Sequence, residues 1–187
     1  MQKKTRFQKQ FEQKIAPALQ KELGEKNRLA VPKFTRAVIN VGLKHGLKDP
    51  KFVDAVESTL KKISGQRPVK TKARKSIASF KIREGNVVGM AVTMRGARMY
   101  DFLDKLINLT LPRVRDFHGL TEKSVDKHGN ISIGFREFIA FPEISAEDAD
   151  IPHGLEVTIV TNAHDYKKGL ALLKAAGFPF RAAQTNK

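Results

Sequence analysis

Two segments of this chain carry apolar side chains at every second position, with mostly polar or small ones between. That alternation limits the fold more than any other feature of the sequence. In 34–43, FTRAVINVGL, one side carries Ala37, Ile39, Val41 and Leu43, and the other carries Arg36, Val38, Asn40 and Gly42. In 87–95, Val88, Met90, Val92 and Met94 alternate with Val87, Gly89, Ala91, Thr93 and Arg95. A period of two is that of a β-strand, whose successive side chains point to opposite faces. Strands of this kind bury one face, so the pattern predicts a mostly antiparallel sheet with helices on one side and a free face on the other.

Helical periods surround these strands. Phe7, Phe11, Ile15 and Leu19 recur every four residues in 5–23, with Gly24 as a stop and Pro17 as an expected kink or break. A helix over 50–64 would start with Asp49 as its N-cap and Pro50 in first position, bury Phe52, Val56, Leu60 and Ile63, and end at Gly65. Residues 97–111 carry Met99, Phe102, Leu103, Leu106 and Ile107, with Pro112 expected just past the end. A fourth helix is expected at 165–176, capped by Asp165 and stopped by Gly177. Strands are expected at 131–136 and 156–162, and short ones in 67–95 around a turn at Glu84-Gly85-Asn86. Segments 112–130 and 141–154 show no period. The expectation is a single α+β domain over 1–187. It comprises an N-terminal helix and basic arm (1–33), a core (34–181) with long loops at 70–83, 112–130 and 141–154, and a tail (182–187).

Charge narrows the function. There are 35 Lys and Arg against 19 Asp and Glu, a formal net charge of +16. Hydrophobic residues make up 41%, which excludes a disordered polybasic tail. The absence of cysteine excludes disulfides, thiolate metal sites and a cysteine nucleophile, and fits a reducing compartment. No run approaches the roughly 20 apolar residues of a membrane span. The opening MQKKTRFQKQFEQK has no apolar core behind its cations and does not read as a secretory signal. A folded, soluble protein of this charge is expected to meet a polyanion, with nucleic acid first in that class.

The densest signal lies between Glu57 and Glu84. Those 26 residues hold nine cations and no acid: Lys61, Lys62, Arg67, Lys70, Lys72, Arg74, Lys75, Lys81 and Arg83. Cations set against phosphates release counterions, and Arg suits bidentate phosphate contact. Ser76 and Ser79 could add hydrogen bonds to backbone or ribose. Asn40, Thr93 and Gln66 carry groups able to bond base edges or 2′-hydroxyls, and Gly42, Gly89 and Ala91 would let an RNA backbone come close. A bland reading as turn and sheet-surface residues is equally open from spacing alone. Residues 137–156 have the opposite sign, with six acids and no Lys or Arg, among them Glu143, Glu147, Asp148 and Asp150. They lack the ligand spacing of a calcium loop and suit a solvated loop or one facing a basic protein. The five histidines make no metal pattern and are expected on surfaces or loops. No catalytic motif, cofactor loop or tuned carboxylate pair occurs, so no enzyme, metal, cofactor or small-molecule substrate is expected.

The segments ISGQRPVKTKARKSIASFKIREG, VTMRGARMYDFLDKLINLTLPRVRDFHG, FREFIAFPEI and GFPFR together resemble the bacterial large-subunit ribosomal protein five family, the 5S rRNA binders. The resemblance runs from about residue 16 to 181 in matching order. It implies a concave antiparallel sheet backed by helices, in a cytoplasmic large ribosomal subunit. It implies that Asn40, Gln66 and Thr93, with Arg67 and Lys70, meet 5S rRNA. Lys72, Arg74, Lys75, Ser76, Lys81 and Arg83 would meet peptidyl-site tRNA or rRNA backbone. The loops 112–125 and 137–157, with Arg113, Arg115, His118 and the four clustered acids, would face small-subunit ribosomal protein thirteen. Further implied neighbours are 23S rRNA and the other proteins of the 5S particle. The chain departs from the family at His118, often Arg, and at Lys127-His128-Gly129-Asn130, often a GRGN-like turn.

Overall fold

The structure, a computed structural model, describes residues 4–43, 50–144 and 152–181. The expected cap Asp49, the acids Glu147, Asp148 and Asp150, and the tail 182–187 lie outside the described residues.

Helix α1 is helical from Arg6 to Glu22, but not uniformly. It is α over Arg6–Gln10, π over Phe11–Ile15 and α again over Ala16–Glu22. Helix α2 is Pro50–Ser64. Helix α3 repeats the first pattern, with α-helix over Gly96–Lys105, a π turn over Leu106–Thr110 and a last turn over Leu111–Arg113. Helix α4 is Tyr166–Ala175. In both broken helices an N–H bonds five residues back: Ala16 to the Phe11 carbonyl, and Leu111 to the Leu106 carbonyl. A proline follows at once. Pro lacks an N–H, and its ring clashes with the carbonyl four back; the wider π turn relieves that clash. Pro17 therefore does not break α1, and Pro112 lies inside α3 rather than past its end. Asp165 occupies the N-cap position of α4, but its side chain makes no cap bond. Gly65 and Gly177 end α2 and α4 with positive φ, as expected.

The strands are β1 (Phe34–Gly42), β2 (Val69–Lys72), β3 (Val87–Met94), β4 (Ile131–Phe135) and β5 (Leu155–Thr161). They form one sheet in the order β2-β3-β1-β5-β4. β2 and β3 pair antiparallel, with Val69 opposite Ala91 and an irregularity between Thr71 and Lys72. The Leu43 N–H donates to the Val88 carbonyl at 2.9 Å, and the Thr35 hydroxyl to the Val160 carbonyl at 2.9 Å. Burial alternates along β1, β4 and β5 and through most of β3. The fold class is α+β, an antiparallel sheet with helices.

The chain clusters into two compact units. One takes the residues up to Ala37, Arg95–Ile133 and those from Thr158 onward. In it Phe11 meets Phe34 and Tyr100, each with ring centroids 5.9 Å apart, and Phe7 meets Tyr100 at 6.3 Å. Burial, then the charge of Glu12, pushes the Tyr100 phenol up to about 12. Arg6 forks onto Asp104 at 2.6 and 3.0 Å. Past the end of α3, residues 114–130 hold one 3₁₀ turn, Glu122–Ser124, and are otherwise tied down by bonds to distant segments. The Leu120 N–H donates to the Pro179 carbonyl, and the Arg181 N–H to the Leu120 carbonyl. The Asp126 carboxylate accepts both backbone N–H groups of His128 and Asn130 and the Asn130 amide, all at 2.8 Å. The Thr161 hydroxyl donates to the Gly129 carbonyl at 3.0 Å. Gly169 on α4 lies so close that a Cβ there would be 2.2 Å from the Gly129 Cα.

The other unit takes Val38–Met94 and Gly134–Val157. Phe52, Val56, Leu60 and Ile63 of α2 are buried as expected, as are Met90, Val92 and Met94 of β3. Residues 138–140 form a 3₁₀ turn that buries Phe138. His153 is not a surface residue. It is buried, stacked on Phe138 at 4.3 Å and edge-on to Phe52 at 6.1 Å. Phe138 covers one face of the imidazole, and Phe52 adds an edge contact.

Candidate nucleic-acid interface

Asn40 and Thr93 are exposed on adjacent strands, while Ile39, Val41, Val92 and Met94 beside them are buried. The buried neighbours share the core side, so Asn40 and Thr93 share the other. Gln66 arrives by a different route. α2 ends where the Gly65 N–H bonds the Lys61 carbonyl at 2.9 Å with φ +64°. The Ser64 hydroxyl donates to the Leu60 carbonyl at 2.6 Å and accepts the Gln66 N–H at 3.2 Å. These bonds fix the turn that carries Gln66, which is half-buried. Buried Pro68 then starts the chain toward β2.

Arg67 and Lys70 are exposed, as expected, but they are not unopposed. Glu57 on α2 holds both: Lys70 Nζ at 2.9 Å and Arg67 Nε at 3.5 Å. The hydrogen bond from Lys70, with its charge and that of Arg67, outweighs desolvation and keeps the Glu57 carboxyl below the usual range. The sequence reading missed this acid. The signal available was its position, since Glu57 is the acid that bounds the cation run.

The loop from Lys72 to Asn86 is structured. The Ala73 N–H donates to the Asn86 carbonyl and the Gly85 N–H to the Ala73 carbonyl, at 2.8 and 3.0 Å. Ile77 and Ile82 exchange both backbone bonds, at 2.9 and 3.2 Å. A 3₁₀ turn, Ala78–Phe80, lies between them. The Glu84 N–H donates to the Ser76 Oγ at 2.9 Å, and the hydroxyl still carries a proton to donate. Lys72, Arg74, Lys75, Lys81 and Arg83 are all exposed.

Gly89 does not serve the role expected of it. It is buried, and a Cβ there would meet Thr71 Oγ1 at 2.8 Å and the Val41 carbonyl at 3.1 Å. Its missing side chain lets three strands close up. Gly42 is exposed, with open space where a Cβ would be.

Arg113, Arg115 and His118 are exposed, just past the π turn of α3. Glu143 is exposed in a turn of the other unit. Among the described residues, no cluster of three or more His, Asp or Glu is placed to hold a metal ion, and no helix is long and apolar enough to cross a membrane.

Comparison with known proteins bears on what such a surface meets. The family profile described as ribosomal protein L5 matches residues 27–83, and the profile for the C-terminus of the same ribosomal family matches 87–180. The large ribosomal subunit protein uL5 of Herpetosiphon aurantiacus is 54% identical over 167 residues, covering 89% of this chain and 93% of the relative. That of Carboxydothermus hydrogenoformans is 47% identical over 175 residues, covering 94% and 98%. That of Desulforapulum autotrophicum is 49% identical over 177 residues, covering 95% and 99%.

Proposed function

Because the chain belongs to the ribosomal protein L5 family, non-enzymatic structural constituents of the large ribosomal subunit in the bacterial cytoplasm, we propose that it is a scaffold that binds 5S rRNA through Asn40, Gln66 and Thr93. Arg67 and Lys70 supply adjacent phosphate contacts and help attach the 5S particle beside 23S rRNA and its partner proteins. One observation carries this reading. A single compact unit presents exposed amide and hydroxyl groups beside a run of cations, a combination suited to reading unstacked bases while binding the backbone.

Lys72, Arg74, Lys75, Ser76, Lys81 and Arg83 reach peptidyl-site tRNA or rRNA backbone. Arg113, Arg115 and His118, with the acids Glu143, Glu147, Asp148 and Asp150, face a small-subunit head protein, ribosomal protein thirteen. The segment from Glu137 to Glu156 carries no cation, so a basic protein is its electrostatic complement.

The test is the triple variant Asn40→Ala, Gln66→Ala, Thr93→Ala. A hydrogen bond contributes about 0.5–1.5 kcal/mol net, so losing three should lower 5S rRNA affinity at least tenfold with the salt slope unchanged. Intact affinity would overturn the site.

A further inference from the structure

Charge does not account for the tip of the 72–86 loop. Phe80 is 63% exposed and Ile77 45% exposed. Among the described residues Phe80 is the one strongly exposed aromatic of the large apolar side chains. An aromatic ring left in water forgoes the burial that stabilises most such side chains. Nor is this ring on a loose segment. The paired Ile77 and Ile82 close the base of the tip, and the Ala78–Phe80 turn leads into Lys81 with φ +54°. A non-glycine residue in the left-handed region is strained, and it persists where its surroundings hold it. The tip is thus built, at a conformational cost, around an exposed ring.

Its surroundings indicate the occupant. Lys75, Lys81 and Arg83 flank Phe80, all exposed, and no acid intervenes before Glu84. A protein groove taking the ring would have to desolvate those cations. A nucleic acid needs them, and every base has a flat face to offer.

We propose that Phe80 is a stacking platform for an unpaired or helix-terminal RNA base, with Lys75, Lys81 and Arg83 on the flanking phosphates. This deepens the nucleic-acid reading above and rests on it, but it concerns a different contact from that of Asn40, Gln66 and Thr93.

The chain has no tryptophan, so Phe80→Trp installs a single reporter indole at the tip. The full-length variant is titrated at low salt with oligoadenylate and, separately, with inorganic polyphosphate, which has the charge but no bases. Stacking predicts that the indole emission is quenched as oligoadenylate binds, followed independently by anisotropy of labelled RNA, and is not quenched by polyphosphate. Phe80→Ala should weaken oligoadenylate binding roughly tenfold with the salt slope unchanged, while Phe80→Tyr restores it and Phe80→Leu does not. Binding without quenching, equal quenching by both polyanions, or no oligoadenylate binding would each overturn the proposal. Retained 5S rRNA affinity in the Asn40, Gln66 and Thr93 variant would sink only the 5S site and leave this result standing.

Discussion

At Gly169 there is no room for even a methyl group. A Cβ would sit 2.2 Å from the Gly129 Cα, and the obstacle is backbone on both sides. Alanine is the better helix former by about 1 kcal/mol, but overpacking costs about 1–3 kcal/mol or more. Gly169→Ala should therefore lower the urea midpoint at unchanged m-value; an unchanged midpoint would mean that α4 can slide. The same turn carries a pH dependence. Desolvation raises the Asp126 carboxyl, but bonds from the Asn130 amide and the Asn130 and His128 N–H groups outweigh it, so its pKa is lowered. A depressed folded-state pKa gives stability that is present above the unfolded value, about 3.9, and lost as pH falls through the folded one. Asp126→Asn should thus cost most near neutral pH and less by pH 3. A urea-midpoint difference that stays constant over that range would contradict this. Residues of this kind divide what a sequence can and cannot show. Asn40 and Thr93 were legible because alternation is local. The roles of Gly89, His153 and Glu57 depend on neighbours from other elements, and no local period encodes those.

Among the elements, α1 and α3 show a signal that was present in the sequence but misread. Phe7, Phe11, Ile15 and Leu19 are spaced by four, and so are Met99, Leu103, Ile107 and Leu111. On an ideal α-helix a spacing of four drifts about 40° per step, so such a stripe would leave the core. All eight residues are buried, because a π turn in each helix absorbs the drift. The strict spacing with a following proline was the cue for the π turn. Loop 112–130 gave no cue, since its order comes from Pro179, Arg181 and Thr161 far along the chain. Glu57 links α2 to the start of β2, and the prediction belongs to that link. Exposed ion pairs contribute little to stability, so Glu57→Gln should leave folding intact. It frees Arg67 and Lys70, so RNA binding should tighten and its salt slope should steepen by about one per added phosphate contact. An unchanged slope would mean that Glu57 holds neither cation back from phosphate.

For the whole molecule, the net charge of +16 sets a background against which any specific contact must be judged. A protein neutralising 6–10 phosphates loses about 10³–10⁵ in affinity between 50 and 200 mM salt, whatever the RNA sequence. In a competition series, labelled 5S rRNA should resist length-matched unrelated RNA at the highest salt that still permits binding. Equal competition throughout would reduce the interaction to charge alone. The sequence made the sheet, the helices and the basic surface legible, but not the division into two units, because each unit draws on separated stretches of chain. That division bears on how the protein is made. Lys33 pairs with Asn162, 129 residues later, and the second unit cannot close before residues 134–157 exist. A nascent chain would therefore carry the complete cation run, residues 61–83, through the synthesis of residues 84–157 before that unit can close, and contacts of such high sequence separation form slowly. The newborn protein would meet polyanions before it could discriminate among them, so biogenesis would favour a holdase or an early RNA partner that masks residues 61–83 until the C-terminal third arrives.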